Sequence, residues 1–261
     1  VNLFLVGYTG ASDYPCCYGL EESEKRNEAE KKKMKRLQNA ADYIHILDPE
    51  HYLPFAGRYV LGGKLTALMK YKGESTLDEG FEYLSKNVNQ EKNEGIILNM
   101  KAHFDLDTKK TSETYISENI QERNNYISNI LSKLKLDYEL DPSPKINSIF
   151  ELIPKAYERF EKHRKMINYS TDTIIFIKLD AENLLLINCN GDGYKIIKND
   201  EFQNFQKYLY LSLDPKLLFR ILQGPKFAHW NNAEIGCHIS WKRVPNVYDR
   251  SLMYCLNFFH Q

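Results

Sequence analysis

An apolar run, Val1-Asn2-Leu3-Phe4-Leu5-Val6, breaks into Gly7-Tyr8-Thr9-Gly10-Ala11-Ser12-Asp13-Tyr14-Pro15. A second, Tyr52-Leu53, breaks in the same way into Pro54-Phe55-Ala56-Gly57, ahead of the glycine turn Leu61-Gly62-Gly63-Lys64. Between them Glu21 to Leu47 reads as one long helix, its start marked by Ser23 or the preceding Gly19 and its end by Asp48-Pro49, because proline lacks the donor and restricts its predecessor. Strand, long helix, strand is a crossover unit, which commits this part of the chain to an α/β arrangement with a mostly buried sheet. Small residues at strand ends let backbone come close to a neighbour or a ligand. In such sheets ligands bind beyond the carboxyl ends of the strands. Tyr8, Thr9, Gly10, Phe55, Ala56 and Gly57 are therefore the candidate substrate-binding residues of the first half.

Composition narrows the class. The 261 residues carry 43% hydrophobic side chains, with 35 Lys plus Arg against 35 Asp plus Glu. No stretch approaches the roughly 20 apolar residues of a membrane span. The balanced charge argues for neither nucleic acid nor a basic partner. Glu28-Ala29-Glu30-Lys31-Lys32-Lys33 resembles a basic patch, but i,i+4 pairing makes it a solvated helix face. Five cysteines, Cys16, Cys17, Cys189, Cys237 and Cys255, show no regular spacing and no Cys-x-x-Cys. That pattern fits a reducing, cytoplasmic setting. The apolar opening lacks a basic leader and does not read as a signal peptide.

Further along, a helix is expected over Thr76 to Asn87 and a strand over Gly95 to Met100. Asp105-Leu106-Asp107 should turn, and 116–138 should form a helix with Ile120, Ile127, Ile130, Leu131 and Leu134 on one side. Asp141-Pro142-Ser143-Pro144 is the strongest boundary signal. A helix over 145–168 should break near Pro154. Thr173–Leu179 and Asn183–Asn188 read as a hairpin, Asn190-Gly191-Asp192-Gly193 as a tight turn, and Tyr194–Ile197 and Tyr208–Leu213 as strands. Asp214-Pro215 opens a helix that Gly224-Pro225 stops. The expected domains are 1–115, a helical connection over 116–168, and an α+β domain over 169–261 with an antiparallel sheet.

The chemistry in the chain is thin. It has no His-x-His, no His-Glu-x-x-His, no phosphate-binding Gly-x-x-x-x-Gly-Lys loop and no Gly-x-Ser-x-Gly. The densest polar cluster is His229-Trp230-Asn231-Asn232-Ala233-Glu234-Ile235-Gly236-Cys237-His238. His229, Glu234 and His238 there are open to a metal or acid–base reading, or to a purely capping one. Trp230 and Asn231 are the pocket-lining candidates of the second half. No catalytic residue is assigned.

The order strand, Tyr-Thr-Gly-Ala-Ser-Asp-Tyr-Pro, long charged helix, Pro-Phe-Ala-Gly and glycine turn resembles the later part of the metallo-β-lactamase fold as found in the CMP-N-acetylneuraminate hydroxylase (Rieske-type monooxygenase) branch and its bacterial relatives. The likeness covers residues 1–70 well and 205–261 more weakly, through the segment around His229-Trp230-Asn231-Asn232; the middle lies outside it. It implies α/β to α+β architecture, the second half of an αββα sandwich followed by a smaller α+β domain. It also implies a metal-dependent hydrolase or oxygenase acting on a small anionic or sugar-nucleotide-like substrate.

In this family the metal, iron or zinc, is held by a His-x-His-x-Asp-His loop that this chain lacks. Hydrolases of the fold place a histidine where Ala56 stands. The matching residues Gly10, Ala11, Pro54, Phe55, Ala56 and Gly57 thus wall a site without supplying its metal. The resemblance leads one to expect the metal ligands in an N-terminal half or a second polypeptide, as does a chain opening on Val1 rather than methionine. The alternatives are a non-catalytic module in which 170–261 hold a small ligand, in the manner of sterol-carrier domains, and a structural subunit.

Overall fold

A computed structural model describes all 261 residues. The chain divides into two compact units, Val1–Cys16 with Leu20–Leu134, and Cys17–Gly19 with Lys135–Gln261. Residues 116–134 belong to the first unit and 135–168 to the second. The fold is mixed α/β, and no helix is long and apolar enough to cross a membrane.

The first unit is built on the crossover. Strand β1 (Leu3–Gly7) and strand β2 (His51–Phe55) pair in parallel, with Leu5 opposite Leu53 and Gly7 opposite Phe55. Helix α1 (Glu22–Leu47) joins them and buries Ala29, Leu37, Ala40, Ala41 and Ile44. It ends where Asp48 turns left-handed and its N–H bonds the Ile44 carbonyl. Helix α2 (Leu77–Asn87) starts at a reciprocal cap: Thr76 Oγ1 accepts from Glu79 N at 3.0 Å and Glu79 Oε2 from Thr76 N at 2.8 Å. Val6, Tyr8, Leu37, Ala40, Ile44, Tyr52, Leu84 and Val88 form the core between these elements.

The remainder of the unit departs from expectation in three places. The glycine turn opens a 3₁₀ helix, Gly63–Tyr71. The strand expected over 95–100 shrinks to β3 (Glu94–Gly95), parallel to β2. Beyond it the Asn99 amide donates to the Ile116 carbonyl and accepts from its N–H, both at 2.8 Å, so a side chain satisfies backbone that a ladder would otherwise need. Strands β4 (Phe104–Asp105) and β5 (Lys110–Thr111) form a small hairpin whose turn Asp105 closes by accepting from Asp107 N and Thr108 N. The third departure is helix α3 (Ile120–Asn129), which begins only at the Asn119 cap and gives way to a 3₁₀ turn at Leu131–Lys133. Its expected apolar side is not a core face: Ile120, Ile130 and Leu134 are exposed.

The second unit holds helices α4 (Ile146–Phe150) and α5 (Ile153–Met166), separated near Pro154, which sits in the first turn of α5. Its sheet contains β6 (Ile174–Lys178), β7 (Asn183–Asn188), β8 (Tyr194–Lys198), β9 (Tyr208–Ser212) and β10 (Ser240–Val244). The strand order is β10-β9-β6-β7-β8. The expected antiparallel sheet needs one correction, because β6 and β9 run parallel. The chain leaves the far edge at β8 and re-enters on the other side of β6, where its direction matches.

Outside β10 the segment Cys17–Gly19 continues the ladder. Gly19 N donates to Trp241 O and Trp241 N to Cys17 O, both at 2.8 Å. Helix α6 (Pro215–Leu222), capped by Asp214, buries Leu217, Leu218, Ile221 and Leu222. Helices α7 (Trp230–Ile235) and α8 (Arg250–Leu256) complete the unit.

Arg220 of α6 grips the 3₁₀ turn Asp137–Leu140 and the residue after it. Its Nε and Nη2 reach the two oxygens of Asp141 at 2.5 and 2.8 Å, and Nη1 reaches Asp137 at 2.7 Å. This fork holds the Asp141 carboxyl below the usual carboxylate range. A lowered folded value means the stabilisation is complete above the unfolded pKa and fades as pH falls through the folded one. Arg220→Met should therefore lower the denaturant midpoint at pH about 7, with the gap to wild type closing through the acid range below pH about 4. A gap unchanged across that range would contradict the assignment.

Gly73 has φ +61°, and a Cβ there would lie 2.1 Å from the Ala29 carbonyl oxygen. Gly62 has an ordinary φ of −105° and nothing within 4 Å. Gly73→Ala should cost about 2 kcal/mol or more, since helix backbone must shift and the φ is unfavourable. Gly62→Ala should stay within about 0.5 kcal/mol. Urea titration of both variants measures the difference.

Candidate basic cavity of the first unit

The two loops singled out by the sequence meet. At the carboxyl ends of β1 and β2, Thr9 Oγ1 donates to the Ala56 carbonyl at 2.8 Å. Ala56 itself is left-handed, φ +53°. Tyr8 is 3% exposed; a Cβ on Gly57 would lie 2.9 Å from its hydroxyl, and one on Gly80 of α2 would lie 2.5 Å from its ring. Tyr8 is thus the packing wedge beneath these loops, and burial pushes its phenol pKa up. Gly10 lies against the Arg36 guanidinium, and Phe55 is exposed.

One residue beyond Gly57, the character changes. Arg58 lines a cavity of about 470 Å³ together with Arg26, Ala29, Glu30 and Lys33 of α1, Met69 and Lys70 of the 3₁₀ helix, Lys72, Gly73, Glu74, and Arg123 of α3. None of Tyr8, Thr9, Gly10, Phe55, Ala56 and Gly57 is among the lining residues. The volume falls within the roughly 300–1,000 Å³ of small-molecule sites.

The ion pairs around it are unevenly matched. Lys33 pairs with Glu30 at 3.2 Å and Lys72 with Glu74 at 2.9 Å. Arg26 and Lys70 share one carboxylate, Glu22, at 2.6 and 3.5 Å. Arg58 and Arg123 likewise share Glu118, the latter at 3.1 Å. Six cationic side chains therefore face four carboxylates, which leaves two positive charges in surplus.

Three side chains of the lining are incompletely hydrogen-bonded. Arg123 Nη2 is buried and makes no hydrogen bond. Burial, with the neighbouring Arg58 cation, lowers the Arg123 pKa, although a guanidinium stays charged throughout. The Lys72 side chain is 2% exposed and that of Glu74 5%. Their charges touch and the ammonium lies over the Tyr59 ring, yet neither the ammonium nor the carboxylate oxygens have an aligned hydrogen-bond partner. Desolvation raises the Glu74 pKa against the pull of Lys72. Buried charges held this incompletely gain from a ligand that supplies further hydrogen bonds.

In the second unit, Trp230 is 2% exposed and its indole N–H donates to the Phe259 carbonyl at 2.8 Å, so its ring belongs to the core, while Asn231 is exposed on α7. His229 Nδ1 caps α7 by accepting from Asn231 N at 3.1 Å, and His238 Nδ1 lies 3.3 Å from the Tyr138 hydroxyl. These two histidines thus have separate local tasks. The thiols of Cys17 and Cys237 lie within 4.8 Å of each other, a proximity that sequence spacing did not show. Cys189 and Cys255 are driven up by burial, the latter to about 11, which leaves them unreactive thiols.

Compared with protein-family profiles, with curated proteins and with solved structures, the chain has no significant match in any of the three.

Proposed function

We propose that the chain is the substrate-holding portion of a metallo-β-lactamase-fold enzyme, a metal-dependent hydrolase or Rieske-type oxygenase, and that its first unit binds a small dianionic substrate in the basic cavity. The observation that carries the substrate class is the surplus of two positive charges around a ligand-sized cavity, with Arg123 Nη2 unpartnered in its lining. A phosphate monoester matches that charge and offers enough acceptors for Arg58, Arg123 and Lys72. The planar guanidinium fork recognises two oxygens of such a group by bidentate bonds.

The enzyme class is supported by the resemblance of the two loops and by their junction, Thr9 to Ala56, at the carboxyl ends of parallel strands. Around Ala56 no three metal-ligating side chains converge, so no step through a metal is derived, and iron or zinc belongs to a separate stretch of polypeptide in this reading. Support for such a partner comes from the outward side of the sheet, where Leu5 is 49% exposed and Phe55 54%. Neighbouring apolar side chains on one sheet face mark a surface that another chain segment covers.

Calorimetric titration with glycerol phosphate at pH about 8 should show one saturable site that weakens steeply with salt. Arg123→Gln and Arg58→Gln should each weaken it by about tenfold or more, as loss of a charge-assisted bond does. Saturable binding that both variants leave unchanged, or no binding at all, would overturn the assignment. Elemental analysis gives a separate check on the enzyme reading. The purified chain should retain well below one equivalent of iron or zinc after dialysis against a chelator. A retained equivalent, lost in Cys237→Ser, would place the metal ligands within these residues instead.

A further inference from the structure

The second unit holds a cavity that the anion-binding reading leaves unused. It encloses about 250 Å³ beside β9 and β10, against the first turn of α8. Tyr208, Leu209, Leu252 and Met253 contribute buried apolar wall, and Val247 an exposed apolar rim. The flexible methionine side chain adapts to hydrocarbon of varied shape.

The polar groups in the lining are unequal in what they still offer. The Asp249 carboxylate is fully engaged: Oδ1 accepts from Ser251 N and Leu252 N, each at 3.0 Å, and Oδ2 accepts from the Tyr169 hydroxyl. Of the two cations in the lining, Arg243 donates from Nε to Asn246 Oδ1 at 2.8 Å and lies over the Tyr18 ring, whereas Lys207 is held by Asp172, whose side chain is 78% exposed, in a surface pair of the kind that water and other ions readily replace. The cavity therefore presents a donor in want of a better acceptor beside an apolar chamber, with no carboxylate left to receive a ligand's donor.

We propose that this cavity binds a small hydrophobic monocarboxylate, its hydrocarbon body on the leucine and methionine wall and its carboxylate exchanging with Asp172 for Lys207. Volume sets the size. About 250 Å³ lies below the roughly 300–1,000 Å³ of drug-sized ligands, so an aryl acid or a short fatty acid fits where a sterol does not.

The test is ligand-observed saturation-transfer NMR on the full chain with phenylacetate and hexanoate, each against its neutral alcohol analogue. The acids should bind with Kd in the micromolar to millimolar range expected of fragment-sized ligands, about fivefold or more tighter than the alcohols. Lys207→Met keeps the side-chain stem and removes the charge at a surface position. It should bring the acids down to the affinity of the alcohols and leave the alcohols unchanged. The Arg58→Gln, Arg123→Gln double variant should bind the acids as wild type does, which separates this site from the basic cavity of the first unit. Equal binding of acid and alcohol, insensitivity to Lys207→Met, loss in the double variant, or no binding up to about 10 mM would each overturn the proposal.

Discussion

The first unit depends on how one aromatic ring is accommodated. Tyr8 leaves β1 pointing into the space that side chains at Gly57 and Gly80 would need. The absence of Cβ atoms at those two positions lets the loop after β2 and the middle of α2 close onto the ring. A glycine inside a helix costs about 1 kcal/mol relative to alanine, whereas a buried tyrosine removes on the order of 150–250 Å² from water, worth several kcal/mol. Burial wins, and the wedge sets where the two loops at the sheet's carboxyl edge can stand. Thr9 and Ala56 meet because Tyr8 is fixed beneath them.

From that edge the cavity follows by short steps along the chain. Arg58 is carried in by the β2 loop, the 3₁₀ helix delivers Lys70, and Lys72 and Glu74 follow it on either side of Gly73. The left-handed Gly73 is what lets this stretch pass against the Ala29 carbonyl, bringing α1 and its Arg26 and Lys33 to the same rim. Charges so placed would repel one another if each lacked a partner. Sharing Glu22 and Glu118 between pairs of cations holds the cluster together without neutralising it.

The strand–helix–strand opening was legible because two apolar runs, a long charged helix and a proline stop agree at every level, and parallel pairing of β1 with β2 follows from that spacing. The capped helix at Leu77–Asn87 and the Pro154 break were legible for the same reason. Residues 95–100 misled, because an apolar run reads as strand until the Asn99 amide takes over the backbone bonds of Ile116. The loops at Tyr8–Gly10 and Phe55–Gly57 meet at the carboxyl edge of the sheet, but neither lines the cavity. Its cations come from segments where charge is ordinary: a solvated-looking helix, a turn region and α3. Nothing in local pattern distinguishes Arg123 from any other surface arginine; its unpartnered Nη2 exists only once the chain is folded. Trp230 shows the reverse case, a residue of ligand-binding type whose indole closes a core contact with Phe259.

The sharing of Glu118 between Arg58 and Arg123 has a kinetic side. A cavity whose own residues leave it doubly positive draws mobile anions from solution, and a low-dielectric wall concentrates the field that draws them. Under the proposed anion-binding role, recognition there is an exchange: the arriving molecule displaces the ions that balance the two guanidiniums, and its encounter rate rises as ionic strength falls. Sulfate or phosphate in a buffer then acts as a competitor at this site, so the apparent affinity of any anion depends on the electrolyte it must replace.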